Sequence, residues 1–217
     1  MYCVSIFCFL GAVFSIVVFS KELAPFLNAD VLVERQQTGF NSDRELRYGY
    51  SSKSKFIVLN DCLNGMNTLQ ADKASLRTVR AFASRCAELA DNIVKTMPSH
   101  AHAWLVKAWA GAALFDGRSL NDGLQQSQLT GPNELWIAKM RIDLAERHLR
   151  SLDPRSQADI RTDIVMMAGN QDGSFALAQR YRENPDFRAR VVPVIETLPN
   201  ETQSRFIENI KMAGRTE

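Results

Sequence analysis

The 217-residue chain is poor in the residues that most catalytic and metal chemistry requires. It has three histidines: His100 and His102 stand two apart at a helix start and point to different faces, and His148 lies among Glu146, Arg147 and Arg150. There is no H-E-x-x-H pair and no Cys/His cluster, so no metal and no cofactor is expected. A G-x-S-x-G elbow is missing, and the 11 glycines are scattered without forming a phosphate-cradling loop. An excess of one charge is missing too: Lys+Arg number 26 against 24 Asp+Glu, and residues 135–217 hold 13 against 12. The Arg-rich end therefore lacks the positive surplus and interleaved aromatics of a nucleic-acid binder, and no nucleic-acid partner is expected. Strand signals are nearly absent beyond residue 56, which excludes a sandwich or barrel. With 46% hydrophobic residues the chain is neither disordered nor a disulfide-dense miniature, and it can bury a sizeable core.

Charge is also missing locally, and there the absence becomes a feature. Residues 1–20, MYCVSIFCFLGAVFSIVVFS, contain no charged side chain, and the first is Lys21. As a helix this stretch spans about 30 Å, the thickness of a bilayer's hydrocarbon core. No Lys or Arg precedes the apolar run, and Val18 stands where signal cleavage prefers alanine, so an uncleaved transmembrane anchor is favoured over a cleaved secretory signal. Cys3 and Cys8 do not follow a lipoprotein pattern and read as small apolar residues. Residues 21–55 form a juxtamembrane segment and linker, with Pro25 ending the apolar helix and a polar, turn-rich run at 36–55. Lys21, Arg35, Arg44 and Arg47 follow the span and, counted alone, favour a cytoplasmic domain.

From residue 56 to 214 the apolar residues recur at three- and four-residue steps between short stops, which predicts an all-α domain of antiparallel helical hairpins. Helices are expected over 56–70, 75–97, 101–115, 119–129, 134–151, 155–168, 173–183, 186–198 and 200–212. The segment 101–115 is apolar nearly all round and should sit between neighbours on several sides.

Pro98 and Pro132 lie 34 residues apart, each closing the second helix of a hairpin. In that register Trp104, Ala108 and Pro132 fall at the fourth, eighth and thirty-second positions, and these residues resemble the tryptophan, small residue and closing proline of the tetratricopeptide family. Gly111, Lys107, Leu120 and Ser127 depart from that pattern, the preceding unit matches only in its second helix and proline, and nothing after 135 keeps the register. The resemblance implies a tetratricopeptide-like domain of divergent repeats, whose concave face would recognise peptides of a partner. The layout as a whole, an N-terminal anchor followed by the AW…A motif, GPNELWIA and Arg-rich amphipathic helices, is similar to small membrane-anchored alphaproteobacterial proteins of envelope or exopolysaccharide systems. It implies no catalytic residues.

Cys62 and Cys86 are equidistant from residue 74, inside the turn between the first two helices. Residues equidistant from the turn of an antiparallel hairpin lie at one height, and both cysteines occupy apolar faces, so the spacing predicts a disulfide. The alternative is a pair of reduced, buried thiols. A disulfide implies an oxidising compartment and outweighs the loop charges, placing the domain in the periplasm.

Among other groups, Asp159 and Asp163 share a helix face by i,i+4 spacing, which suits either paired acid–base work or neutralisation of Arg155 and Arg161. Trp104 and Trp136 are expected in packing, whereas Trp109, on another face, is a candidate for partner binding. Arg180, Arg182, Arg188 and Arg190 form a candidate surface for an acidic partner or a phosphate-bearing surface. The sequence thus points to a single-pass inner-membrane protein that binds protein partners at the membrane or in the periplasm, contacts the bilayer through residues 1–20, and works as a scaffold or assembly factor rather than an enzyme. The alternatives are a holdase for a secretion or pilus system and an envelope enzyme such as a glycan-cleaving hydrolase; Asp159 or Glu134 buried in a deep cleft would favour the enzyme.

Overall fold

A computed structural model describes residues 9–25, 48–71 and 73–214. The first eight residues of the expected anchor, with Cys3 and Cys8, lie outside the described residues, as do Arg35, Arg44 and Arg47 of the expected linker. All regular structure among the described residues is helical. Residues 9–25 form α1, followed by α2 (Ser52–Ala71), α3 (Leu76–Thr96), α4 (Ala101–Leu114), α5 (Gly117–Thr130), α6 (Leu135–Arg147), α7 (Pro154–Gly169), α8 (Gln171–Glu183), α9 (Pro185–Ile195) and α10 (Asn200–Ala213). A single 3₁₀ turn, Leu149–Ser151, follows α6.

The helix boundaries are set by capping chemistry. Ser75, Asp116, Asp153, Asn170 and Asn184 each accept a hydrogen bond from a backbone N–H of the following turn. Pro154 and Pro185 occupy first-turn positions, where a missing N–H costs nothing. Ser51 does the same for α2, accepting from the Ser54 N–H, so α2 begins at Ser52, four residues inside the segment expected to be linker. The expected 134–151 helix stops at Arg147 and finishes in the 3₁₀ turn.

Helix packs on following helix from α2 to α5 and again from α6 to α9, and alternate helices also touch: α2 on α4, α4 on α6, α6 on α8, α5 on α7 and α7 on α9, with α10 closing against α8. The core therefore runs along the stack, carried by Leu59, Leu63, Phe82, Ile93, Leu105, Leu124, Ile142, Met167, Leu177 and Phe187. The tightest interface is α4 against α5, where a Cβ on Gly123 would come within 2.7 Å of the Ala108 backbone N and one on Gly111 within 2.7 Å of the Leu120 backbone N. Gly111, a departure from the tetratricopeptide pattern, is thus required by the close approach of two backbones. Gly123→Val is expected to force the helices apart and cost about 2 kcal/mol of overpacking, read as a lowered midpoint in urea denaturation. An unchanged midpoint would mean that α5 can shift without loss.

The α2–α3 hairpin carries the expected bridge: Cys62 and Cys86 are bonded, with Cα atoms 5.7 Å apart, and both are fully buried. At the other extreme stands α1. Its apolar side chains face outward nearly all round, with Phe9 70% and Phe14 69% exposed. The described part of α1 is about 25 Å long, and among the described residues no helix is long and apolar enough to cross a membrane. Its end is tied to the domain: Glu22 accepts hydrogen bonds from the Tyr50 and Ser51 backbone N–H groups and from the Ser51 hydroxyl (2.6 Å).

Candidate functional site

Three features concentrate chemistry in this stack. The first is an aromatic cluster on the opening turns of alternate helices. Phe56 of α2, His102 of α4 and Trp136 of α6 meet edge to face, with centroids 5.4 Å apart for Phe56–His102, 4.8 Å for His102–Trp136 and 5.7 Å for Phe56–Trp136. His102 is 3% exposed and neither ring nitrogen has a hydrogen-bond partner, while Phe56 and Trp136 are each 37% exposed above it. Burial, reinforced by His100, pushes the His102 imidazole down to about 3, so it is neutral in the fold. Burial also lowers His100. Lys53 lies over the Phe56 ring, and Lys55 turns back to donate to the Gly49, Tyr50 and Ser51 carbonyls.

The second is a buried ion pair. Arg141 and Asp163 are both inaccessible to solvent, joined by Nε to Oδ2 at 2.7 Å and an Nη2 to Oδ1 contact at 2.6 Å. The remaining guanidinium protons go to the Ser127 carbonyl, the Ser127 hydroxyl and the Gly131 carbonyl. Arg141 thus satisfies carbonyls at the end of α5 while holding α7 to α6. Burial pushes the Asp163 carboxyl up, and the bidentate guanidinium opposes that by stabilising the anion. Asp159 is half-buried, its carboxyl pushed up by burial against the pull of Arg155 and Arg141, while its i,i+4 neighbour Asp163 is committed to Arg141. Glu134 is exposed at the start of α6.

The third is a groove of about 190 Å³ between α6, α7 and α8, floored by Ile142, Met167 and Leu177 and rimmed by Lys139, Asp143, Arg180 and Glu183. Two of its rim charges pair, Arg180 with Asp143.

The expected partner-binding residues fall differently from the sequence reading. Trp109 is 3% exposed and lies beneath the Arg147 guanidinium, so its indole belongs to the interior and presents no groove surface. Trp104 fills the α3–α4 corner, its Nε1 donating to the Pro98 carbonyl at 2.8 Å. Trp136, expected in packing, is the most exposed indole. The arginines are largely committed within the chain: Arg180 to Asp143, Arg190 to Glu146, and Arg188 to the Tyr181 and Arg182 carbonyls, while Arg182 is half-buried. The Arg141–Asp163 pair and the aromatic cluster escaped the sequence reading. Arg141 could have been found as a charge set between Ala138, Ile142, Leu144 and Ala145, all buried positions of α6. The cluster had no short-range signal, because its members are 34 and 46 residues apart.

One buried group and one half-buried group couple this region to pH. The His102 pKa lies below its unfolded value of 6.5, so the stability it contributes is full above that value and is lost as pH falls toward 3. The expected loss is about 2 kcal/mol at pH 5. Asp61, half-buried in α2, is raised by desolvation to about 6, so its charge burdens the fold above pH 6 and is relieved on acidification. Asp61→Asn should therefore stabilise by about 1 kcal/mol at pH 7.5 after solvent screening, and steepen the acid loss. His102→Phe should flatten it. Urea titrations of the three proteins between pH 4 and 8 check both signs; a His102→Phe profile parallel to that of the parent protein would contradict them.

Comparison with known proteins finds no match: no family model fits the chain, and no characterised protein or solved structure aligns with it significantly.

Proposed function

We propose that the protein is a membrane-anchored scaffold or assembly factor of the bacterial cell envelope, bound to the inner membrane through residues 1–20 and presenting its tetratricopeptide-like helical stack to protein partners in the periplasm. The observation that carries this reading is the pairing of an α1 with outward-facing apolar side chains and a domain whose first hairpin is closed by Cys62–Cys86. Apolar side chains exposed all round a helix call for lipid, and a disulfide persists where the surroundings oxidise. Binding rather than catalysis is favoured because the most buried acid, Asp163, is committed to Arg141. Polysaccharide synthesis or export is the context that the sequence resemblance favours.

Crosslinking in intact membranes, with partners identified by mass spectrometry, tests the reading. The expected result is a small, reproducible set of envelope proteins crosslinked to a chain that resists carbonate extraction and carries no free thiol at Cys62 or Cys86. Recovery of the chain from the cytosol with both thiols free would overturn it.

A further inference from the structure

We propose that the end of the helical stack carrying Tyr50, Phe56 and Trp136 lies against the lipid headgroups, giving the domain a second membrane contact beside α1. The proposal rests on the anchor reading given above.

The position of this end follows from the chain path. The Phe56–His102–Trp136 ring contacts join the opening turns of α2, α4 and α6 directly, so these three helices begin at the same end of the stack. The same end receives α1. Glu22 caps the start of α2 through Tyr50 and Ser51, and Lys21 reaches the Tyr50 hydroxyl at 3.5 Å and lies over its ring at 5.5 Å. An apolar helix that enters lipid therefore delivers this end of the domain to the bilayer surface.

The chemistry displayed there suits a headgroup layer. Tyr50 is 65% exposed, and with the half-covered rings of Phe56 and Trp136 it offers amphipathic aromatics of the kind that gather at the boundary between hydrocarbon and water. Lys21 and Lys53 flank them, each stacked on a ring, with ammonium groups able to extend toward lipid phosphates while their stems cover apolar surface. Glu22, in the last turns of α1, stays ionised under three hydrogen bonds that turn its carboxylate toward Tyr50 and Ser51, and the Lys55 ammonium offsets its charge. His102 is held neutral beneath these rings, so the cluster presents no buried charge to lipid.

The test uses the full chain reconstituted into vesicles of phosphatidylcholine and phosphatidylglycerol, with or without phosphatidylcholine brominated near the headgroup. Flotation reports the anchor, and bromine quenching reports the depth of tryptophan. Of the three tryptophans, Trp136 alone has its ring in this cluster, so brominated lipid should lower the emission by about a third. Trp136→Phe should abolish that quenching and Trp104→Phe should retain it, with the thermal transition confirming that each variant is folded. A chain that floats but is quenched equally with and without Trp136, or not at all, overturns this contact and leaves the cluster facing a protein. A chain that does not float overturns the anchor reading, and this proposal with it.

Discussion

Replacing Arg141 with methionine is expected to destabilise the domain by about 3–5 kcal/mol, the largest effect of any single change considered. The substitution leaves Asp163 buried without its bidentate partner, and it strips the donors from the Ser127 and Gly131 carbonyls. Each loss alone matters because an unmatched polar group in the interior forfeits its hydration without compensation. The pair as a whole is different. Desolvating both ions offsets much of their attraction, so Arg141→Met with Asp163→Leu should recover most of the stability lost in the single variant. Urea denaturation of the two variants and of Asp163→Leu alone completes the cycle. A single variant within about 1 kcal/mol of the parent would mean that water reaches Asp163 in solution.

Reduction of Cys62–Cys86 is the second large effect. The bridge spans 24 residues of sequence, and opening a loop of that size restores freedom to the unfolded chain worth about 3 kcal/mol. For a domain of this length the midpoint of thermal unfolding should fall by on the order of 10 °C. The double variant Cys62→Ala/Cys86→Ala should match the reduced parent and be indifferent to reductant. Insensitivity of the parent would show that the native hairpin holds equally well with free thiols.

These two features divide what could be read from the chain itself. The disulfide was legible because it obeys a local rule: two cysteines equidistant from one turn, each on an apolar face. The helices were legible for the same reason, since capping residues such as Asp153 and Asn184 act within one turn of themselves. The start of α2 was missed because its cap, Ser51, sits in a run of polar residues where one serine resembles another. Arg141–Asp163 joins residues 22 apart on different helices, and nothing near either one announces the partner. That Trp109 is buried and Trp136 partly exposed was hidden for a similar reason. Helical periodicity tells which residues share a face, but which face is covered depends on how α2, α4 and α6 line up. That alignment also assembled Phe56, His102 and Trp136, the site most distinctive of this fold.

The stapled hairpin has a mechanical meaning. Tension between α1 and the domain enters through Glu22 at the start of α2 and tends to peel that helix from its N-terminal end. Peeling can release only the stretch ahead of Cys62, because from there the load passes through the covalent bridge into α3, whose buried face is packed on both α2 and α4. A pull on the tether is thus shared between two helices before it can unravel one.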